Sequence, residues 1–210
     1  MSAIDTPVNA RSRRTRSLLL SAARAILEED GFEALTMSAV AVRSGVTRRA
    51  VYLHFGSRAE LVGGLFDHVA AEEGLEQSVG RVWDAPDAAG ALDEWARHLA
   101  RYHTRLLAVD RAVERVRRQD RDAARHRDRV VRAKLANCRR LAQRLADEAV
   151  LAEPWTMATA TDMLFALISS DVIEGLTVDR RWSRQKLGDH LSLLLRSTFI
   201  HQGTTKGAAR

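Results

Sequence analysis

The chain has 210 residues, 46% hydrophobic and 29% charged, with 33 Lys+Arg against 27 Asp+Glu and a net charge of +6. That length and apolar content are enough for one or two cored domains and exclude a chain disordered throughout. The single cysteine, Cys138, excludes an intrachain disulfide, and the basic balance, with a pI near 10.3, favours a polyanionic partner.

No apolar run of about 18 residues occurs, and Met1 to Ala10 hold no apolar leader core, so neither a membrane span nor export is expected and the expected compartment is the cytoplasm. The β-branched alternation of strands is missing and only three prolines occur, Pro7, Pro86 and Pro154, so an all-α chain is predicted. A first helix is predicted from Arg14 to Glu29, with Leu19, Ala22, Ala23, Ile26 and Leu27 on one face. Ahead of it, Arg11, Arg13, Arg14 and Arg16 suit a DNA-contacting arm and a soluble tail equally well. Asp30-Gly31 closes the helix, and Phe32 and Leu35 follow as apolar anchors. A second helix runs from Thr36 to Ser44 with Gly45 after it, and a short third from the N-cap Thr47 to Leu53. Ser57-Arg58-Ala59-Glu60 is a capping box for a fourth helix that buries Leu61, Val62, Leu65, Phe66 and Val69. Gly63-Gly64 inside it suits either a compliant connector or close packing. Further helices are predicted at 87–108, 110–119, 122–150, 154–177 and 183–201, with solvated tails at Met1 to Ser12 and Gln202 to Arg210.

Two short helices joined through Gly45-Val46 form a helix-turn-helix, a unit that lays its second helix in the major groove. At 100° per residue Arg48, Arg49 and Tyr52 share one face, while Ala50 and Val51 turn inward. Arginine can donate two hydrogen bonds to guanine, and tyrosine reaches phosphate or a thymine methyl. The stretch from Gly31-Phe32 through Ser44-Gly45-Val46-Thr47 to Tyr52-Leu53-His54-Phe55-Gly56-Ser57-Arg58-Ala59-Glu60-Leu61 resembles the N-terminal domain of the tetracycline-repressor (TetR) family. The resemblance implies a DNA-binding domain at 12–72, its helix-turn-helix at about 36–54, and a ligand-binding and dimerisation domain at 73–202. It implies a homodimer that binds a palindromic operator in double-stranded DNA and is released by a small-molecule inducer. It also implies phosphate contacts from Thr36, Thr47, Tyr52, His54 and Arg58, the last standing where lysine is usual.

In the second half, Met157, Ala160, Leu164, Leu167 and Ile168 form one apolar stripe, and Leu187, Leu191, Leu194, Leu195 and Thr198 another. The resemblance implies that these helices pair with their copies in a dimer; the other reading is an intramolecular core. Trp95, Tyr102 and Leu106 recur at spacings of seven and four, and with Phe66, Trp155, Met163 and Phe165 they suggest a pocket for an apolar or anionic inducer. The chain's charge is +3 over residues 1–60, −5 over 61–110, +7 over 111–150 and +1 over 151–210. Within 111–150 the densest basic stretch is an arginine run, Arg111 to Arg132, that suits an anion site, an auxiliary DNA contact or, preferably, a solvated face laced with Asp120, Asp122 and Asp128.

No phosphate-binding loop, H-E-x-x-H pair or nucleophile elbow occurs, so an enzyme is not expected, nor is a cofactor or a metal. His98 and His103, five apart, do not stack as an i, i+4 pair on an α-helix. A constitutive or architectural DNA binder and, further off, a helical enzyme or carrier for an anionic small molecule are the alternatives.

Overall fold

The structure is a computed structural model that describes residues 10–201. Among the described residues the chain is helical, with no strand and one isolated antiparallel bridge, Leu151 to Ile200. It divides into two compact units. Residues up to Glu73 group with Ala108–Asp128, and Gly74–Leu107 group with the residues from Arg129 onward.

The first unit begins with α1 (Ala10–Glu29), which buries Leu19, Leu20, Ala22, Ala23, Ile26 and Leu27. It starts four residues before the predicted start at Arg14, so Arg11, Arg13, Arg14 and Arg16 are helical and do not form an arm. The remainder of the expected tails, Met1 to Asn9 and Gln202 to Arg210, lies outside the described residues. Gly31, at φ +87°, ends this segment in the left-handed region that favours glycine. The next three helices, α2 (Met37–Ser44), α3 (Arg48–His54) and α4 (Arg58–Glu72), each start on a hydroxyl cap. Thr36, Thr47 and Ser57 accept from the third amide of each helix at 3.1, 3.2 and 3.2 Å. Such caps contribute about 1 kcal/mol apiece. Glu60 completes the last one by accepting from the Gly56 amide at 2.9 Å, one residue further back than the box pattern predicts. Helix α1 packs on α2 and α4, and α2 on α3, around Phe32, Leu35, Val40, Val51, Phe55, Leu61 and Leu65.

The two glycines of α4 separate here. A Cβ on Gly64 would stand 2.9 Å from the Phe55 ring and 3.3 Å from the Arg16 guanidinium, whereas one on Gly63 would meet nothing within 4 Å. Close packing therefore explains Gly64, and nothing in the structure explains Gly63. The unit is completed by the second half of α7 (Thr104–Val116), which buries Val109, Ala112, Val113 and Val116, and by the first turns of α8 (Arg121–Asp147). His126 of α8 stacks on Phe66 of α4, with ring centroids 3.2 Å apart and planes 12° from parallel.

The second unit holds α5 (Leu75–Trp83), α6 (Ala88–His98), α9 (Met157–Leu167), α10 (Ser170–Glu174) and α11 (Arg184–Phe199), with the rest of α8. The sequence pattern does not predict α5, because the helix is only nine residues long, follows Gly74 and holds Gly80 inside it. In place of helices at 87–108 and 110–119, α6 continues into α7 through a π-helical segment, Leu99–His103. The predicted 154–177 helix is likewise broken: α9 ends at Leu167, Ser169 caps α10, and a second π segment covers Gly175–Asp179. Helix α11 lies along α6, and Gly188 admits Ala100 to 3.5 Å from where a Cβ would stand.

The apolar stripes of α9 and α11 have been reassigned by this packing. Ala160, Leu164 and Ile168, with Leu187, Leu191 and Leu195, are buried in the unit's own core. Met157, Met163, Leu193 and Leu194 are exposed instead. The reading of these stripes as an intramolecular core holds for the six buried residues, and the outward apolar surface lies on a different face.

Candidate nucleic-acid interface

Helix α3 is seven residues long and anchored by Val51, which is fully buried, and by Phe55 just beyond it. That anchoring turns Arg48, Arg49 and Tyr52 outward, as the 100° rotation predicts. Leu53 extends the same arc and is 78% exposed, a large apolar side chain facing water beside two arginines. The sequence reading omitted it because leucine is ordinarily assigned to the core; its angular position, next to Arg49, was the available signal. Arg48 lies over the Tyr52 ring, 5.6 Å from its centroid, and donates to the Tyr52 hydroxyl at 3.4 Å. The arc thus offers guanidinium donors for guanine, a phenol for phosphate and an isobutyl group for a thymine methyl.

The remaining predicted contacts differ in availability. Thr36 and Thr47 are exposed, and each uses a lone pair of its hydroxyl as a cap acceptor, which leaves the O–H free to donate. His54 is half-buried, and its carbonyl accepts from Arg16 at 2.8 Å. Burial, then the Arg16 charge, lowers its pKa, so the ring is a neutral donor or acceptor and not a cation. Arg58 departs from the expectation. Its Nε donates to the Leu35 carbonyl at 2.8 Å and its Nη2 to the Phe32 carbonyl at 3.2 Å, while Nη1 pairs with Asp120 at 2.8 Å and Asp122 at 3.0 Å. A guanidinium committed to four internal oxygens is not available to a phosphate in this conformation.

Three arginines of the run pair with acids of the same stretch. Arg117 and Arg127 share Glu114, at 2.5 and 3.2 Å, and Arg125 pairs with Asp122. Arg117–Glu114 and Arg125–Asp122 are i, i+3 pairs, and Arg127 reaches Glu114 from thirteen positions away; partly exposed pairs of this kind suit a solvated helical surface.

The predicted ligand residues are divided between the two units. Phe66 belongs to the first unit, while Trp95, Tyr102, Leu106, Trp155, Met163 and Phe165 belong to the second. Trp155 packs on Phe199 with centroids 5.2 Å apart, Met163 is exposed, and Phe165 lies at the edge of the core. Leu107 packs against that core in place of Leu106, since the π segment inserts a residue into the helical phase. What does assemble is a buried cluster around the π segment. Trp95 and Tyr102 each stack on the His98 ring, with centroids 5.2 and 5.4 Å away, and His103 stands edge-on at 5.8 Å. The wider π turn brings the i and i+5 histidines together, which an α-helical count excludes. His98 Nδ1 shares a hydrogen bond with Ser78 at 2.9 Å. Burial, followed by Arg101 and Lys134, holds its pKa at about 4, and burial holds His103 well below the ordinary histidine range. Trp95 Nε1 and His103 Nδ1 are buried without a hydrogen-bond partner among the described residues. Cys138, also buried, has its thiol pushed up to about 12, mainly by desolvation. No group of three or more His, Cys, Asp or Glu side chains suited to a metal occurs among the described residues.

Residues 19–65 match the family of bacterial regulatory proteins, tetR family. That segment is similar to the N-terminal domain of the TetR family. The whole chain also shares the fold of solved regulators. It is 22% identical to NalD of Pseudomonas aeruginosa, described as the secondary repressor of the MexAB-OprM multidrug efflux pump. That alignment covers 92% of this chain and 99% of the other, with a TM-score of 0.70. SmeT in complex with triclosan is 20% identical over 90% of this chain and 93% of its own, at a TM-score of 0.70. A regulator from Saccharomonospora viridis in complex with choline is 15% identical over 90% and 100%, at 0.69. No curated protein matches the chain by sequence. The matched segment contains the helix-turn-helix of α2 and α3, and no helix among the described residues is long and apolar enough to cross a membrane.

Proposed function

We propose that this chain is a transcriptional repressor that binds a palindromic operator as a homodimer and is released by a small-molecule inducer. The observation that carries the reading is the outward arc of Arg48, Arg49, Tyr52 and Leu53 on a short helix whose opposite side is locked into a core. Thr36, Thr47 and His54 flank that arc as neutral donors to the phosphate backbone; Arg58 does not belong to it. Met157, Met163, Leu193 and Leu194, apolar and exposed on α9 and α11, supply a surface for a second copy. The two buried polar atoms beside His98 supply the chemistry of an inducer site, since a buried N–H without an acceptor costs about 1–3 kcal/mol. NalD's description as a repressor and the ligands held by two similar folds support the same assignment.

Selection of duplexes from a random-sequence pool tests it. Enrichment of a palindrome, with log K falling by about 0.9 per unit log salt for each phosphate neutralised, is the expected result. A flat salt response with no enriched sequence overturns the reading.

A further inference from the structure

Arg58 is the first residue of α4, four residues after the end of α3, and its Cζ lies 4.8 Å from the Phe32 ring centroid. The two carbonyls it binds, Phe32 and Leu35, belong to the turn between Gly31 and the Thr36 cap, the segment from which α2 starts. The two carboxylates it binds belong to the start of α8. Asp120 is committed on both of its oxygens: Oδ2 holds Arg58, and Oδ1 accepts from the Asp122 and Ala123 amides at 2.9 and 3.1 Å, starting α8. Only a planar fork can satisfy two carbonyls on one side and two carboxylates on the other; a lysine ammonium is a point donor and could not span them. An arginine at this position thus has a structural use that a phosphate contact would not require.

We infer that Arg58 is a positioning residue that ties the start of α2 to the start of α8, so that the place of α8's first turn sets the place of the DNA-reading helices. Charge-assisted bonds of 2.8 to 3.2 Å weaken steeply over an added ångström, so a displacement of Asp120 and Asp122 is passed to the Phe32–Leu35 turn through one rigid guanidinium. The segment 108–128 is then part of the DNA-reading machinery, in keeping with its grouping with the N-terminal residues. The inference rests on the DNA-binding reading above for its consequence, and on contacts within the first unit for its mechanism.

Its test has one arm without DNA and one with it, both on the full chain. In Asp120→Asn/Asp122→Asn and in Arg58→Lys, amide exchange over Ala39–Ala41 and Ala50–Val51 is expected to rise at least tenfold. Against a duplex enriched by the wild-type protein, both variants are expected to bind at least tenfold more weakly. The aspartate variant separates the possibilities by sign. Removing two negative charges near DNA strengthens binding if Arg58 is a phosphate contact held in reserve, and weakens it if Arg58 positions α2. Equal or tighter binding by that variant, or unchanged amide exchange in either, overturns the inference. Asparagine retains the cap acceptor of α8, and Asp122→Asn alone, which leaves the cap untouched, repeats the measurement should the pair unfold. Failure of any duplex to enrich strikes the DNA-binding reading, while the exchange arm still decides the positioning role.

Discussion

The two compact units place their polar groups in opposite ways. In the first, the cations of α3 are presented to water on an arc whose back is pinned by Val51 and Phe55, and the neighbouring arginines Arg16 and Arg58 are held by backbone carbonyls. In the second, His98 and His103 are drawn inside and kept neutral among aromatic rings, with two nitrogen atoms left without protein partners. Exposed charge that costs nothing to maintain suits a polyanion that arrives from solution. Buried neutral polarity suits a small molecule that leaves water to bind, because only there does one hydrogen bond decide between ligands.

The largest expected effect breaks the first half of this comparison. Arg48→Ala/Arg49→Ala is expected to lose about 2–6 kcal/mol against an enriched duplex, at roughly 1–3 kcal/mol per arginine, while thermal melting stays unchanged; a fall in melting temperature with intact binding would show the arc to be structural. The second half is tested by acid. His98 is held at about 4 in the fold against about 6.5 unfolded. A depressed histidine contributes stability that is intact above the unfolded value and is lost as pH falls from there through the folded value. Denaturant unfolding between pH 6.5 and 4 is therefore expected to lose about 3 kcal/mol, with His103 adding in the same direction. His98→Phe is expected to flatten that profile. Next comes packing within the first unit: Gly64→Ala is expected to destabilise by about 1–3 kcal/mol, since the Phe55 ring cannot yield 2.9 Å of contact cheaply. The smallest effect has the opposite sign. Gly63→Ala meets nothing and is expected to stabilise by up to about 1 kcal/mol in the same denaturation assay.

The parts of this molecule that were legible in sequence are those decided within a few residues. Thr36, Thr47 and Ser57 announce three helix starts, Gly31 and Gly45 two ends, and the α3 rotation gives the outward face, because capping and helical phase are local physics. The second unit was less legible for the complementary reason. A π segment changes phase by one residue only when tertiary packing favours it, so the 95–102–106 spacing, sound for an α-helix, assigned Leu106 where Leu107 packs. Apolar stripes on α9 and α11 identify a buried face but not which copy of the chain buries it. Arg58 illustrates the limit most directly: its four oxygens lie on residues 23 to 64 positions away, and its identity alone signals only a cation.

The grouping of residues 108–128 with the N-terminal helices has a consequence for engineering. A hybrid made by cutting after Glu73 and joining the N-terminal helices to another domain would leave Arg58 without its carboxylates and Phe66 without the His126 ring. The transplantable module is discontinuous, and a working graft must carry the α7–α8 hairpin along with those helices.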